Sequence, residues 1–236
     1  MTRPALSGCR FLLAILLLLM VFFPVLEDMT RPIFLTAVIA GVFVVGVAVV
    51  HPGKSRMRNA IALAVIQIGL TGWAVSLTEN SFAYRCAVGL ALATISTLIG
   101  YCIYCVLRYV LQANYITRDQ IYAGISVYLM LGFAFGCVYY LMGMLDPNCF
   151  AVNTAKLDAS GEPDLMYFSF ITLATLGYGD ITPVARFSRA LSQLEALAGT
   201  LYMAVFMARL VSMAGSVPRS LAAGGSDAQA PTEERR

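Results

Sequence analysis

The sequence predicts an all-α membrane protein with six transmembrane helices and a re-entrant helix and loop between helices five and six. Three observations predict it. The chain is 59% hydrophobic and 12% charged, a balance that lipid-facing helices explain better than a soluble core. Six apolar runs, residues 11–26, 33–50, 60–77, 86–107, 121–145 and 187–213, mostly approach the ~20 residues that cross a bilayer as helix. A seventh apolar stretch, 165–175, is too short to span. It fits a helix that enters the membrane and turns back, with its ends buried by protein.

The first run is the shortest. Arg3 and Arg10 precede its core, as in a signal peptide. No small-residue cleavage site follows in Phe23, Pro24, Val25, Leu26, Glu27 and Asp28, so a retained helix is expected. Leu6, Ser7, Gly8 and Cys9 resemble a lipidation box, but they precede the apolar run and are read as coincidence. The second and third runs contain no acidic residue, and Gln67 is their one strongly polar side chain. The fourth contains no charge at all; Arg85 and Arg108 bracket it as interfacial anchors. Cys102 and Cys105 within it read as small buried hydrophobes. Gly132 and Gly136 form G-x-x-x-G in the fifth run, a pattern for close helix packing.

A net charge of +3 is too small to suggest nucleic acid. Its distribution is more useful. Lys54, Arg56 and Arg58 fill the second connection, Arg118 the fourth, and Arg219 follows the last run. Glu27 and Asp28 lie in the first connection, Glu79 in the third, and Asp146, Asp158, Glu162 and Asp164 in the fifth. Basic and non-basic connections alternate, which puts both termini in the cytoplasm and Asp180 outside. Short connections fit a bacterial inner membrane. His51, beside Pro52 and Gly53, reads as a solvated turn residue. Cys149 in the outer loop and Cys86 near the outer end of the fourth run leave a disulfide open if that face is oxidising. Residues 217–236 read as a disordered cytoplasmic tail, too short for a ligand-binding domain. No His, Cys or acid cluster has catalytic spacing, so an enzyme is not expected.

The most specific segment is Thr175, Leu176, Gly177, Tyr178, Gly179 and Asp180. If successive carbonyls are to face one narrow axis, alternate residues need left-handed dihedrals, and glycine adopts these without a Cβ clash. Thr-x-Gly-Tyr-Gly between two hydrophobic elements resembles the selectivity filter of potassium channels. The resemblance covers about residues 121–216: outer helix, acidic loop, pore helix (Leu165 to Thr175), filter, Asp180-Ile181-Thr182-Pro183, and inner helix. Two positions depart from the family pattern. Leu176 stands where valine is usual, and Ile171 where some members carry a pore-helix glutamate.

The resemblance implies that Thr175, Leu176, Gly177, Tyr178 and Gly179 bind permeant potassium ions through backbone carbonyls and the threonine hydroxyl. Asp180 forms the filter mouth, and Tyr178 packs as a brace behind the strand. No other cofactor or metal is expected. A ring of carbonyls needs four strands, so the partners are identical subunits in a homotetramer and the lipid bilayer. Gly199, twenty positions after Gly179, matches the family's inner-helix hinge. Thr200, Met203 and Met207 match its cavity-lining face. On a helical wheel Arg209 turns away from the ion path, towards the cytoplasmic interface. Glu195 lies about 115° from the cavity face and could reach Ser169 or Thr172 behind the filter; mere satisfaction by a neighbouring hydroxyl is the alternative. The expected layout is a four-helix N-terminal membrane region (1–118), a pore module (119–216) and the tail. The expected function is passive, potassium-selective conduction without a voltage sensor. The rivals are a weakly selective cation channel and a non-conducting subunit that keeps the pore fold.

Overall fold

The computed structural model describes residues 8–29, 32–50, 54–77, 81–112, 117–152 and 164–215. They form seven α-helices: α1 (Gly8–Met29), α2 (Pro32–Val50), α3 (Lys54–Val75), α4 (Phe82–Leu111), α5 (Arg118–Leu145), α6 (Leu165–Leu173) and α7 (Arg186–Gly215). Among the described residues, four stretches are long and apolar enough to cross a membrane: Ser55–Val75, Phe82–Leu111, Arg118–Leu145 and Arg186–Ser212. They correspond to the third to sixth expected crossings. The apolar parts of α1 and α2, Gly8–Phe23 and Thr36–Ala48, are shorter. His51, the acidic stretch from Asp158 to Glu162, and residues 217–236 lie outside the described residues.

Helix ends differ from the apolar runs where polar chemistry sets the boundary. α3 begins at Lys54, so Lys54, Arg56 and Arg58 belong to the helix rather than to the connection; long basic side chains are good helix formers. α5 begins at Arg118 because Thr117 and Gln120 make a reciprocal capping box. Thr117 Oγ1 accepts from the Gln120 N–H at 3.3 Å, and Gln120 Oε1 accepts from the Thr117 N–H at 3.0 Å. Asp164 caps α6 by accepting from the Tyr167 N–H at 2.9 Å.

α5 is the central element, packed against α1, α4, α6 and α7. Phe43 of α2, Leu98 and Ile99 of α4, and Met130 and Phe133 of α5 are fully buried in one apolar cluster. The expected close packing at Gly132 and Gly136 is present, and its partner is the short helix α6. Gly132 faces the Phe170 ring, and a Cβ on Gly136 would lie 2.5 Å from Met166 Sδ. By contrast, 11% of the most apolar 18-residue stretch of α7 is buried within the chain, against 56% for that of α5. Half-exposed Leu194, Leu197, Leu201 and Val205 leave α7 with few neighbours in a single chain.

One antiparallel pairing went unpredicted: β1 (Phe150–Val152) with β2 (Ile181–Pro183), Ala151 opposite Thr182. It ties the chain just after Asp180 to the end of the outer helix. Cys149, next to β1, is buried and Cys86 is exposed; both are free thiols. Burial, with a smaller effect of Asp146, raises the Cys149 thiol pKa above its ordinary value.

Candidate ion pathway and its supports

α6 ends in a Schellman-type reversal. The Thr175 N–H bonds the Thr172 carbonyl at 2.9 Å, and the Leu176 N–H bonds the Ile171 carbonyl at 2.8 Å. This motif needs a left-handed residue just past the helix, usually glycine. Here it is Thr175, at φ 57°, the one non-glycine residue with positive φ among those described. A β-branched residue in that region is strained, and such strain concentrates at functional positions. Gly177 at φ 52° and Gly179 at φ 73° follow. Positive φ therefore recurs at every second residue from Thr175 to Gly179, in the alternation that turns carbonyls to one side.

The stretch is exposed in one chain: Leu176 is 56% and Tyr178 60% accessible. Tyr178 shares a groove with Tyr167 and Ile171 of α6 and Tyr128 of α5. At the far end, Asp180 Oδ2 accepts from the Tyr167 hydroxyl at 2.7 Å, and Asp180 Oδ1 accepts from the Ile181 N–H at 3.0 Å. Burial, followed by the bond to Asp180, raises the Tyr167 phenol to about 12. The loop beyond is held by Cys149, whose carbonyl accepts from Val184 N–H at 2.9 Å and Ser188 Oγ at 2.8 Å.

Behind the filter-like strand, α7 presents Ser188, Ser192 and Glu195 at spacings of four and three, one face of a helix. Glu195, Ser169 and Tyr139 are completely buried. Glu195 Oε2 accepts from the Tyr139 hydroxyl at 2.6 Å, and Oε1 lies 2.5 Å from Ser169 Oγ. Ser169 Oγ also lies 2.8 Å from the Gly132 carbonyl. Tyr139 continues to Ser192 at 3.5 Å, and Ser192 to the Ser188 carbonyl at 2.9 Å. One polar chain thus joins α5, α6 and α7 through Glu195. Ser169 is one of the two hydroxyls that the sequence offered. Tyr139 went unforeseen, although it lies seven residues after Gly132 and so on the glycine face of α5. The acid stands on α7 while Ile171, at the family's pore-helix acid position, is buried.

Gly199 lies where α7 crosses the end of α6: a Cβ there would stand 2.5 Å from the Leu173 carbonyl oxygen. α7 runs unbroken through this position, so in this structure the glycine provides close approach. The same carbonyl accepts from the Tyr128 hydroxyl at 3.1 Å. Thr200, Met203 and Met207 are exposed in the single chain. Arg209 donates from Nη2 to the Leu111 carbonyl at the end of α4.

A short helix and a strand of alternating backbone hand stand between two long apolar helices, α5 and α7. Residues 127–215 match the family described as ion channel, a match that spans less than half of the chain. The match and the apolar helices support an integral membrane protein with ion-channel function. No curated protein and no solved structure matches the chain significantly.

Proposed function

We infer that the protein is a potassium-selective channel and that its working unit is a homotetramer. The observation that carries the reading is the alternation of positive φ at Thr175, Gly177 and Gly179 within Thr-Leu-Gly-Tyr-Gly. Four such strands would supply rings of carbonyls, with the Thr175 hydroxyl, to replace the hydration of a potassium ion. The exposure of α7 and of the filter strand in one chain supports assembly, because both lack neighbours there.

In this reading residues 119–216 form the pore and residues 1–118 surround it. Six helices cross the bilayer, α6 is re-entrant, both termini are cytoplasmic and Asp180 faces outward, in keeping with the alternating basic connections. The C-terminal end of α6 favours a cation through its helix dipole. Thr200, Met203 and Met207 line the cavity below, and Gly199 is the point at which α7 bends during gating. Glu195 and Tyr139 brace the pore helix through Ser169. A bacterial inner membrane is the proposed location. The test is the reversal potential of purified protein in planar bilayers under opposed potassium and sodium gradients. A value near the potassium equilibrium potential is expected. A value near zero would favour a weakly selective cation channel, and no current in any gradient a non-conducting subunit.

A further inference from the structure

We propose that the N-terminal helices hold a binding site for a small, mostly apolar molecule carrying one hydroxyl or amide N–H donor. A cavity of about 430 Å³ lies among α1 to α5 and reaches Met166, near the start of α6. Its walls include Phe23, Ile39, Ala91 and Cys137. Gln67 also lines it; this side chain is 3% exposed, and its Oε1 is buried without a hydrogen-bond partner. Thr71 does not serve that atom, because its hydroxyl donates to the Gln67 backbone carbonyl at 3.1 Å. A buried acceptor left unpaired is costly, so an occupant whose donor reaches Gln67 Oε1 gains a bond that the protein itself does not make. The size falls within the range of small-molecule sites, which pair apolar walls with a few placed polar atoms. A lipid acyl chain could fill the space but offers no donor. An amphiphile of alkanol type satisfies both the walls and Gln67. Its binding would be felt beside the pore helix, since Met166 lies one turn before Ser169.

The test uses the full-length protein in liposomes and a photoactivatable diazirine analogue of 1-octanol, with labelled peptides read by mass spectrometry. Labelling is expected on cavity walls around Thr71, Ala91 and Cys137. Competition by 1-octanol should exceed competition by n-octane roughly five- to tenfold, the worth of one net hydrogen bond. Gln67→Met, similar in size but lacking the acceptor, should lose that preference, and Ala91→Phe should fill the cavity and suppress labelling. Equal competition by octane and octanol, or labelling confined to outer lipid-facing positions, would overturn the proposal without recourse to either variant. The labelling reads binding alone, so its outcome is independent of whether the chain conducts.

Discussion

Gly179 holds φ at 73°, where a Cβ costs roughly 1–2 kcal/mol. In a tetramer that strain would recur four times around one ion site. Gly179→Ala is therefore expected to abolish potassium conduction in a homomeric channel, and patch-clamp currents of normal size and selectivity would refute the filter assignment. At Glu195 the two substitutions should separate. Glutamine keeps an acceptor for Tyr139 and gains an N–H donor for Ser169 Oγ, so Glu195→Gln should be mild. Glu195→Ala leaves the buried Tyr139 hydroxyl with only Ser192 at 3.5 Å, at about 1–3 kcal/mol, while Ser169 keeps the Gly132 carbonyl at 2.8 Å. The check is tetramer melting and sustained current across potassium concentrations; parental behaviour of Glu195→Ala in both would make the residue incidental. Tyr167 should donate to Asp180 over the whole physiological range. Its folded pKa is raised from 10.0 to about 12, so the bond's contribution is full below pH 10 and is lost as pH rises through about 12. Tyr167→Phe should shorten sustained current at neutral pH, where raising pH from 7 to 9 in the parent leaves this bond intact.

Among the elements, α5 carries most of the support for α6. Its glycine face receives Phe170 and Met166, and its tyrosines reach Leu173 and Glu195. Gly136→Leu should push Met166 away and misplace α6, lowering both tetramer yield and current by an order of magnitude or more, because the Met166 backbone also stands 3.4 Å from a Cβ there. Much of this layer was readable in the sequence. The apolar runs gave the helices, Gly132 and Gly136 announced a close contact, and the wheel pointed Glu195 towards Ser169 or Thr172, of which Ser169 is the partner. What stayed hidden was long-range pairing. Tyr139 meets Glu195 across 56 positions, and nothing local marks one tyrosine among twelve as its partner. The β1–β2 ladder is three residues long, too short for alternation to register. The φ of Thr175 was also invisible, since threonine's local preference opposes it; the Schellman geometry at the end of α6 overrides that preference.

For the whole molecule, α4 sets the expectation about voltage. No charge lies between Arg85 and Arg108, and each charge that crosses the field gains about 2.3 kcal/mol per 100 mV. Open probability should therefore vary weakly with voltage, and steep activation with several gating charges per subunit would contradict this, once block by cytoplasmic ions is excluded. The central claim is that the exposed strand from Thr175 to Gly179 becomes a potassium filter when four chains assemble. Its most direct test is potassium flux into liposomes containing purified protein, with sodium as the control ion and Gly179→Ala as the control protein. The account predicts potassium uptake well above sodium uptake in the parent and neither in the variant. Equal uptake of both ions, or potassium uptake that survives Gly179→Ala, would contradict it.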